Sequence, residues 1–250
     1  MNQIDIIPRI IPSLLLKGKG LYKGKSFKNH RYIGDPINAV KIFNDKKADE
    51  LLFFDIEATD RGVININLIK EIAGECFMPF AYGGGVKTLE DINALIRAGA
   101  EKVIINTEGI KNKLFLKEAV KEFGSSSIVF CLDYKTDIFG RKRVYINSGK
   151  EKTNWNPKDW IKALNDMEVG EIVINSIDRE GSRLGFDFQF FKSLIEISKA
   201  PLIISGGCKD FDEIKKAINE HNISGLSAGS CFVFQGKHDA VLISYPELNY

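Results

Sequence analysis

The sequence predicts an α/β fold of the (β/α)8 barrel type, a single domain over residues 1–250 with two similar halves. Three observations carry this: eight short apolar runs, amphipathic stretches between them, and an internal repeat. A chain of 250 residues is the usual size of one such barrel. The runs are RIIPSLLL (9–16), ELLFFDI (50–56), MPFAYG (78–83), KVIIN (102–106), SIVFCLDY (127–134), EIVINSI (171–177), PLIISG (201–206) and GLSAGS (225–230). Most are continuously apolar rather than alternating, as parallel strands covered on both faces should be.

The intervening stretches carry helix signals. Asp35-Pro36 offers an N-cap followed by proline at the first helical position. Thr88 with Asp91 makes a near capping box, and Gly99 can close the same helix. NPKDWIKALNDMEVG and DFDEIKKAINEHNISG follow the same layout. Regular alternation of β and α admits a closed barrel or an open doubly wound sheet, and eight strands favour the barrel. The repeat strengthens that choice. Asp55 precedes Gly84-Gly85 as Asp178 precedes Gly206-Gly207, and Thr107 corresponds in the same register to Ser230. Two stretches break the rhythm: residues 17–35 read as a long basic loop, and residues 135–156 as a small hairpin.

Composition narrows the function. Lys plus Arg is 35 against 33 Asp plus Glu, a net charge of +2, so no basic face for nucleic acid is expected. No apolar run reaches the ~18 residues of a membrane span. The start, MNQIDIIPRIIPSLLLK, reads as a poor secretory signal, so a cytoplasmic protein is expected. Cys76, Cys131, Cys208 and Cys231 lie far apart and read as buried or free thiols. Neither they nor His30, His221 and His238 have metal-ligand spacing, so no metal or other cofactor is expected.

In a barrel, chemistry sits at the C-terminal ends of the strands. YGGGVKTLED (82–91) and SGGCKDFDE (205–213) each end a strand in glycines and open a helix, where free N–H groups favour an anion. INT (105–107) and AGS (228–230) add small and hydroxyl residues beside them. Two matched phosphate sites suit a small-molecule substrate phosphorylated at both ends. Asp55 and Asp133 are expected to project into the mouth between them, with Asp178 at the place matching Asp55 in the second half. Carboxylates there can serve as acid, base or anchor. Lys23, in the basic loop, can fold over an anionic substrate.

In chain order, RIIPSLLLKGKGLYKG, ELLFFDIEAT, PFAYGGGV, KVIINT, LDYK, GEIVINSIDREGSRLGFD, PLIISGGC and SAGSCF resemble the cyclase subunit of imidazole glycerol phosphate synthase, the HisF family. The resemblance runs from about residue 8 to residue 235. It implies a barrel that takes ammonia from a HisH-type glutaminase on its bottom face and closes an imidazole ring on a doubly phosphorylated substrate. It implies phosphate contacts from Gly85, Asn106 and Thr107 in one half, and from Gly181, Gly207, Gly229 and Ser230 in the other. It assigns catalysis to Asp133 and Lys23, with Asp55 and Asp178 as active-site carboxylates. It also implies an ammonia gate of Arg9, Glu50, Lys102 and Glu171. Each of the four begins a strand, which independently puts them at the bottom of the barrel.

Two positions depart from the family. Leu15 stands where a catalytic aspartate is usual, and Glu180 replaces an aspartate in the sixth-strand loop. Leucine transfers no proton, and general acid–base catalysis contributes ~10²–10⁴-fold. LLLK at the first strand, ECFMP before the glycines and KHDAVLISYP near the end resemble a specialised HisF-like branch. That likeness implies work with a HisH-like glutaminase and an ATP-dependent sugar amidotransferase, amidinating an N-acetyl sugar for a surface glycan. The alternatives are a true cyclase of histidine biosynthesis that tolerates Leu15, and a non-catalytic scaffold.

Overall fold

Continuous apolar runs of four to nine residues become eight parallel strands that close on themselves: β1 (Arg9–Lys17), β2 (Leu51–Asp55), β3 (Phe80–Gly83), β4 (Lys102–Ile105), β5 (Ile128–Thr136), β6 (Glu171–Ser176), β7 (Leu202–Ser205) and β8 (Gly225–Ala228). The circuit is complete: β1 pairs with β2 and β8, and β5 pairs with β6. This is a computed structural model, and it describes residues 8–220 and 223–247. The extreme N-terminus and His221, both used in the sequence reading, lie outside that range.

Each strand is sandwiched between two cores. One face packs in the bore, where Ile11, Leu52, Ala81, Ile104, Val129, Cys131, Val173 and Ile203 form one cluster with Phe54 against it. The other face, including Ile10, Phe53, Tyr82 and Phe130, packs under the helices with Trp160 and Phe232. The helices begin where the capping signals predict. Asp35 accepts from Asn38 N at 2.9 Å, and Thr88 with Asp91 forms a full capping box. Asn156, followed by Pro157, caps the helix Pro157–Asn165. Gly99, at φ +108°, turns the chain after Leu89–Arg97.

Residues 17–35 depart from the expected loop. They form an antiparallel hairpin, Gly20–Lys25 and Lys28–Gly34, added to the upper end of β1 through Leu15↔Tyr22 and Leu16↔Leu21. The lysines hid an alternation: Leu21 and Lys23 face inward between half-buried neighbours. The second irregular stretch is the hairpin expected there. Lys142–Ile146 folds back on β5 through Asp133↔Tyr145 and Tyr134↔Val144, and Glu151–Lys152 pairs in turn with it. The two halves therefore carry equivalent hairpins on β1 and β5.

The first hairpin crosses the mouth to the β6 loop. Ser26 N donates to Glu180 O at 2.8 Å, and the Phe27 ring lies over Gly149 in the turn of the second hairpin. Gly181 is essential to that seat. Its φ is +69°, and a Cβ there would stand 2.2 Å from Gly24 O and 3.1 Å from Lys25 Cα. Gly181→Ala should therefore lift the hairpin while leaving the barrel folded. Tryptic cleavage at Lys25 and Lys28 should accelerate about tenfold, the effect of ~1–2 kcal/mol of local strain, with little change in Tm. Unchanged cleavage would show that the contact does not hold the hairpin down.

Candidate functional site

Asp133 is the carboxylate at the centre of the mouth. It lies two residues past Cys131 on β5, so it shares the inward face. It is buried. Asn175 Nδ2 donates to its Oδ1 at 2.7 Å, Asn106 Nδ2 approaches Oδ2 at 3.3 Å, and the Cys131 thiol lies 3.7 Å from Oδ1. Burial pushes its pKa up to about 7, against the opposing pull of the Asn175 and Cys131 hydrogen bonds. A carboxyl poised there can take or give a proton near neutral pH.

The strand register identifies its counterpart in the other half. Asp133 stands opposite Asn175 on β6 and Tyr145 on its hairpin. Leu15 stands opposite Phe54 on β2 and Tyr22 on its hairpin. Phe54 and Asn175 are equivalent in turn, since they face Gly83 and Ser205. Leu15 is thus the pseudo-twofold mate of Asp133, and Phe54 that of Asn175. One half presents hydrocarbon where the other presents a carboxyl and an amide.

The same register corrects the expected placement of Asp55 and Asp178. Leu52 and Phe54 face the bore, so Asp55 faces the helix layer with Phe53. Its carboxylate accepts from Arg61 Nη2 at 2.7 Å, from the amides of Ala58 and Glu57 at 3.0 and 3.1 Å, and from the Tyr82 hydroxyl at 3.4 Å. It ties the short helix Ala58–Arg61 to the barrel wall and does not project into the mouth. Its positional mate is Ser176, not Asp178. Gly84 and Gly206 pass close over the carbonyls of Asp55 and Ser176, where a Cβ would come within 2.3 and 2.6 Å. Asp178 lies beyond, on the exposed rim, accepting from Thr136 N at 2.7 Å. Matching aspartates by spacing alone overlooked that the halves differ in loop length.

Lys23 is buried beneath the first hairpin, and its ammonium pairs with Glu180. Gly229 makes room for it: a Cβ there would lie 2.2 Å from Lys23 Nζ. The glycine-rich turns are tightly nested. A Cβ on Gly85 would meet Ala58 at 2.9 Å, and one on Gly207 would meet Gly185 O at 2.4 Å. Thr107 Oγ1 donates to Asn106 Oδ1 at 3.2 Å and accepts from Asn147 N at 3.0 Å, and Ser230 is buried at the start of Ser230–Val233. Sequence reasoning missed Asn175 and Cys131 as neighbours of Asp133. The available signal was a polar residue at an inward position of an otherwise apolar strand.

At the opposite end, Arg9, Glu50, Lys102 and Glu171 form one closed ring of ion pairs. Arg9 pairs with both Glu50 and Glu171, and Lys102 reaches the same two carboxylates at 2.9 and 2.8 Å. Charge alternates around the ring, so each carboxylate contacts both cations. The Glu50 side chain is only 2% exposed and that of Arg9 29%, so the ring plugs the bottom of the bore. Among the described residues, no group of three His, Cys, Asp or Glu is placed to hold a metal ion, and no helix is long and apolar enough to cross a membrane.

A parallel eight-stranded barrel with a carboxyl-centred mouth, twin hairpins and a charged base defines a (β/α)8 protein of the half-barrel-repeat class. The chain belongs to the histidine biosynthesis protein family, whose model matches residues 9–239, and within it to the HisF group. It is 43% identical over 241 residues to "Putative imidazole glycerol phosphate synthase subunit HisF" of Leptospira borgpetersenii, covering 96% of this chain and 95% of that one. It is 43% identical over 242 residues to a subunit of Pseudomonas aeruginosa named hisF2, covering 96% of each. The imidazole glycerol phosphate synthase subunit HisF of Alkaliphilus metalliredigens is 34% identical over 228 residues, 91% of this chain and 90% of its own.

The raised pKa of Asp133 has a consequence for stability. The folded state holds this proton more tightly than the unfolded chain, so the contribution is complete below the unfolded value near 3.8 and is lost as pH rises through about 7. Asp133→Asn removes the titration. Its Tm relative to the parent should rise between pH 4 and pH 8, by thermal melts at matched ionic strength. A difference independent of pH would show that Asp133 titrates normally.

Proposed function

We propose that this chain is the ammonia-conducting barrel subunit of a glutamine amidotransferase. It receives ammonia from a HisH-type glutaminase and delivers it for amidination of an N-acetyl sugar in surface-glycan synthesis, together with an ATP-dependent sugar amidotransferase. The observation that carries this reading is a combination: the charged ring is intact while Leu15 occupies the position of the second proton-transfer group. A conduit needs the first. A cyclase with two acid–base groups needs a proton-transfer group at position 15, which leucine does not supply.

The chemistry follows from the parts. Two cations and two carboxylates neutralise one another, which offsets the cost of partial burial. A small neutral molecule passes when one side chain swings aside, whereas an ammonium ion would first have to shed its hydration. The glutaminase docks on this face, with exposed Glu101 beside the ring as a contact. Above the ring the bore is lined by hydrocarbon, which disfavours ions further. At the mouth the buried Asp133 carboxylate accepts a hydrogen bond from the arriving molecule and can take up the proton released when its nitrogen bonds to the substrate. Lys23 and the nested turns with Gly85, Asn106 and Thr107, and with Gly181, Gly207, Gly229 and Ser230, hold an anionic phosphorylated substrate. Asp55 and Asp178 act as supports of the rim.

The purified chain, supplied with ammonium salt and the histidine-pathway substrate, should show negligible ring closure. Turnover within about tenfold of an ordinary family member, less than the usual acid–base contribution, would instead assign the true cyclase role. In the complex, Lys102→Ala should lower the fraction of glutamine-derived ammonia reaching product while glutamine hydrolysis continues. An unchanged fraction would favour a scaffold that conducts nothing.

A further inference from the structure

The register orders the bore-facing residues by height. From Leu15 it runs through Phe54, Gly83 and Ile104 to Val129. From Arg9, in the other direction, it runs through Gly225, Ile203 and Val173 to Cys131, two residues beyond Val129. One circuit therefore advances eight residues, one per strand, the stagger usual for eight strands. Directly above the charged ring the inward side chains are hydrocarbon: Ile11, Ala81, Val129 and Ile203. Ser227 is the first polar group met, then Ser13 and Ser205, then Asn175, then Asp133. All are buried.

These groups run up one wall only. The twofold mates of Ser227, Ser205 and Asn175 are Ile104, Gly83 and Phe54. Two members of the polar wall have no protein partner, Ser227 Oγ and Asn175 Oδ1. Ser227 is fully buried and Asn175 is 9% exposed. The Asn175 amide is not free to turn, because its Nδ2 donates to Asp133. Its oxygen points past Gly206, where a Cβ would lie 2.8 Å away. Buried oxygens are rarely left unpaired, so these two mark a place for a hydrogen-bonding guest.

The donor and acceptor inventory narrows the guest to a small neutral hydrogen-bond donor, a description that water and ammonia both meet. Asn175 Oδ1 only accepts, and a serine hydroxyl both accepts and donates. The guest must donate at least twice, fit within the bore, and cross the hydrocarbon level uncharged. Anions are repelled by the same acceptors. Ammonia has three N–H bonds and one lone pair: it can donate to Asn175 Oδ1 and a serine oxygen while accepting from a serine hydroxyl. We infer that Ser227, Ser205 and Asn175 form a ladder of ammonia-binding positions between the charged ring and Asp133. This rests on the conduit reading and adds to it the wall along which the molecule moves.

Two measurements test it. The full-length ¹⁵N-labelled chain is titrated with ammonium chloride at pH 8, with potassium chloride as control, following the Asn175 side-chain amide. A saturable shift specific to ammonium is expected, weakened about threefold to tenfold by Ser227→Ala, the loss of roughly one hydrogen bond. A shift no larger than that with potassium, as for a position that holds water alone, overturns the ladder. In the complex, ammonia escaping to solvent per glutamine hydrolysed should rise in Ser227→Ala toward the value for Lys102→Ala. A rise with Lys102→Ala alone overturns the ladder and keeps the conduit. No rise in either overturns the conduit itself.

Discussion

Everything at the two ends of this barrel depends on one steric constraint. Successive residues of a strand face opposite sides, and closure leaves one side looking into the bore and the other under the helices. Asp133 and Asp55 are both aspartates in the upper halves of their strands, with apolar residues before them. They differ in parity. Asp133 follows Cys131 inward and becomes a buried carboxyl with a pKa near 7. Asp55 follows Phe53 outward and becomes a structural brace for Arg61 and the helix beside it.

The same constraint explains what was legible in the sequence. Eight apolar runs and the capping signals at Asp35, Thr88 and Asn156 locate the strands and several helix starts, because local periodicity and local hydrogen bonds determine them. The four charges at the base are legible for a related reason: the first residue of an inward-facing strand must lie at the rim, whatever the loops do. Three things were not legible. The hairpin at 20–34 carries lysines at a density that resembles solvent-exposed chain, and the burial of Lys23 depends on Glu180, 157 residues away. The equivalence of Asp55 and Ser176 needs the hydrogen-bond register, which loop-length differences conceal. The setting of Asp133 needs Asn175, which only β5–β6 pairing brings alongside.

The halves share a frame and diverge in lining. Hairpins sit on β1 and β5, glycine turns follow β3 and β7, and short helices follow β4 and β8. Within that frame Leu15 and Phe54 are apolar where Asp133 and Asn175 are polar. The departure at Leu15 is therefore not an isolated loss. It belongs to a mouth with a dry side and a wet side, and the adjoining interior has the same division.

The ring of Arg9, Glu50, Lys102 and Glu171 also fixes which substitutions the base of the barrel can absorb. Each carboxylate serves two cations and each cation two carboxylates. Losing any one member leaves an uncompensated charge in a largely enclosed place, which is the costly way to break a buried pair. Neutral replacement of one acid and one base together keeps the balance. These four positions, at the starts of four different strands and up to 162 residues apart, are thus coupled through their charges as if they were a single site.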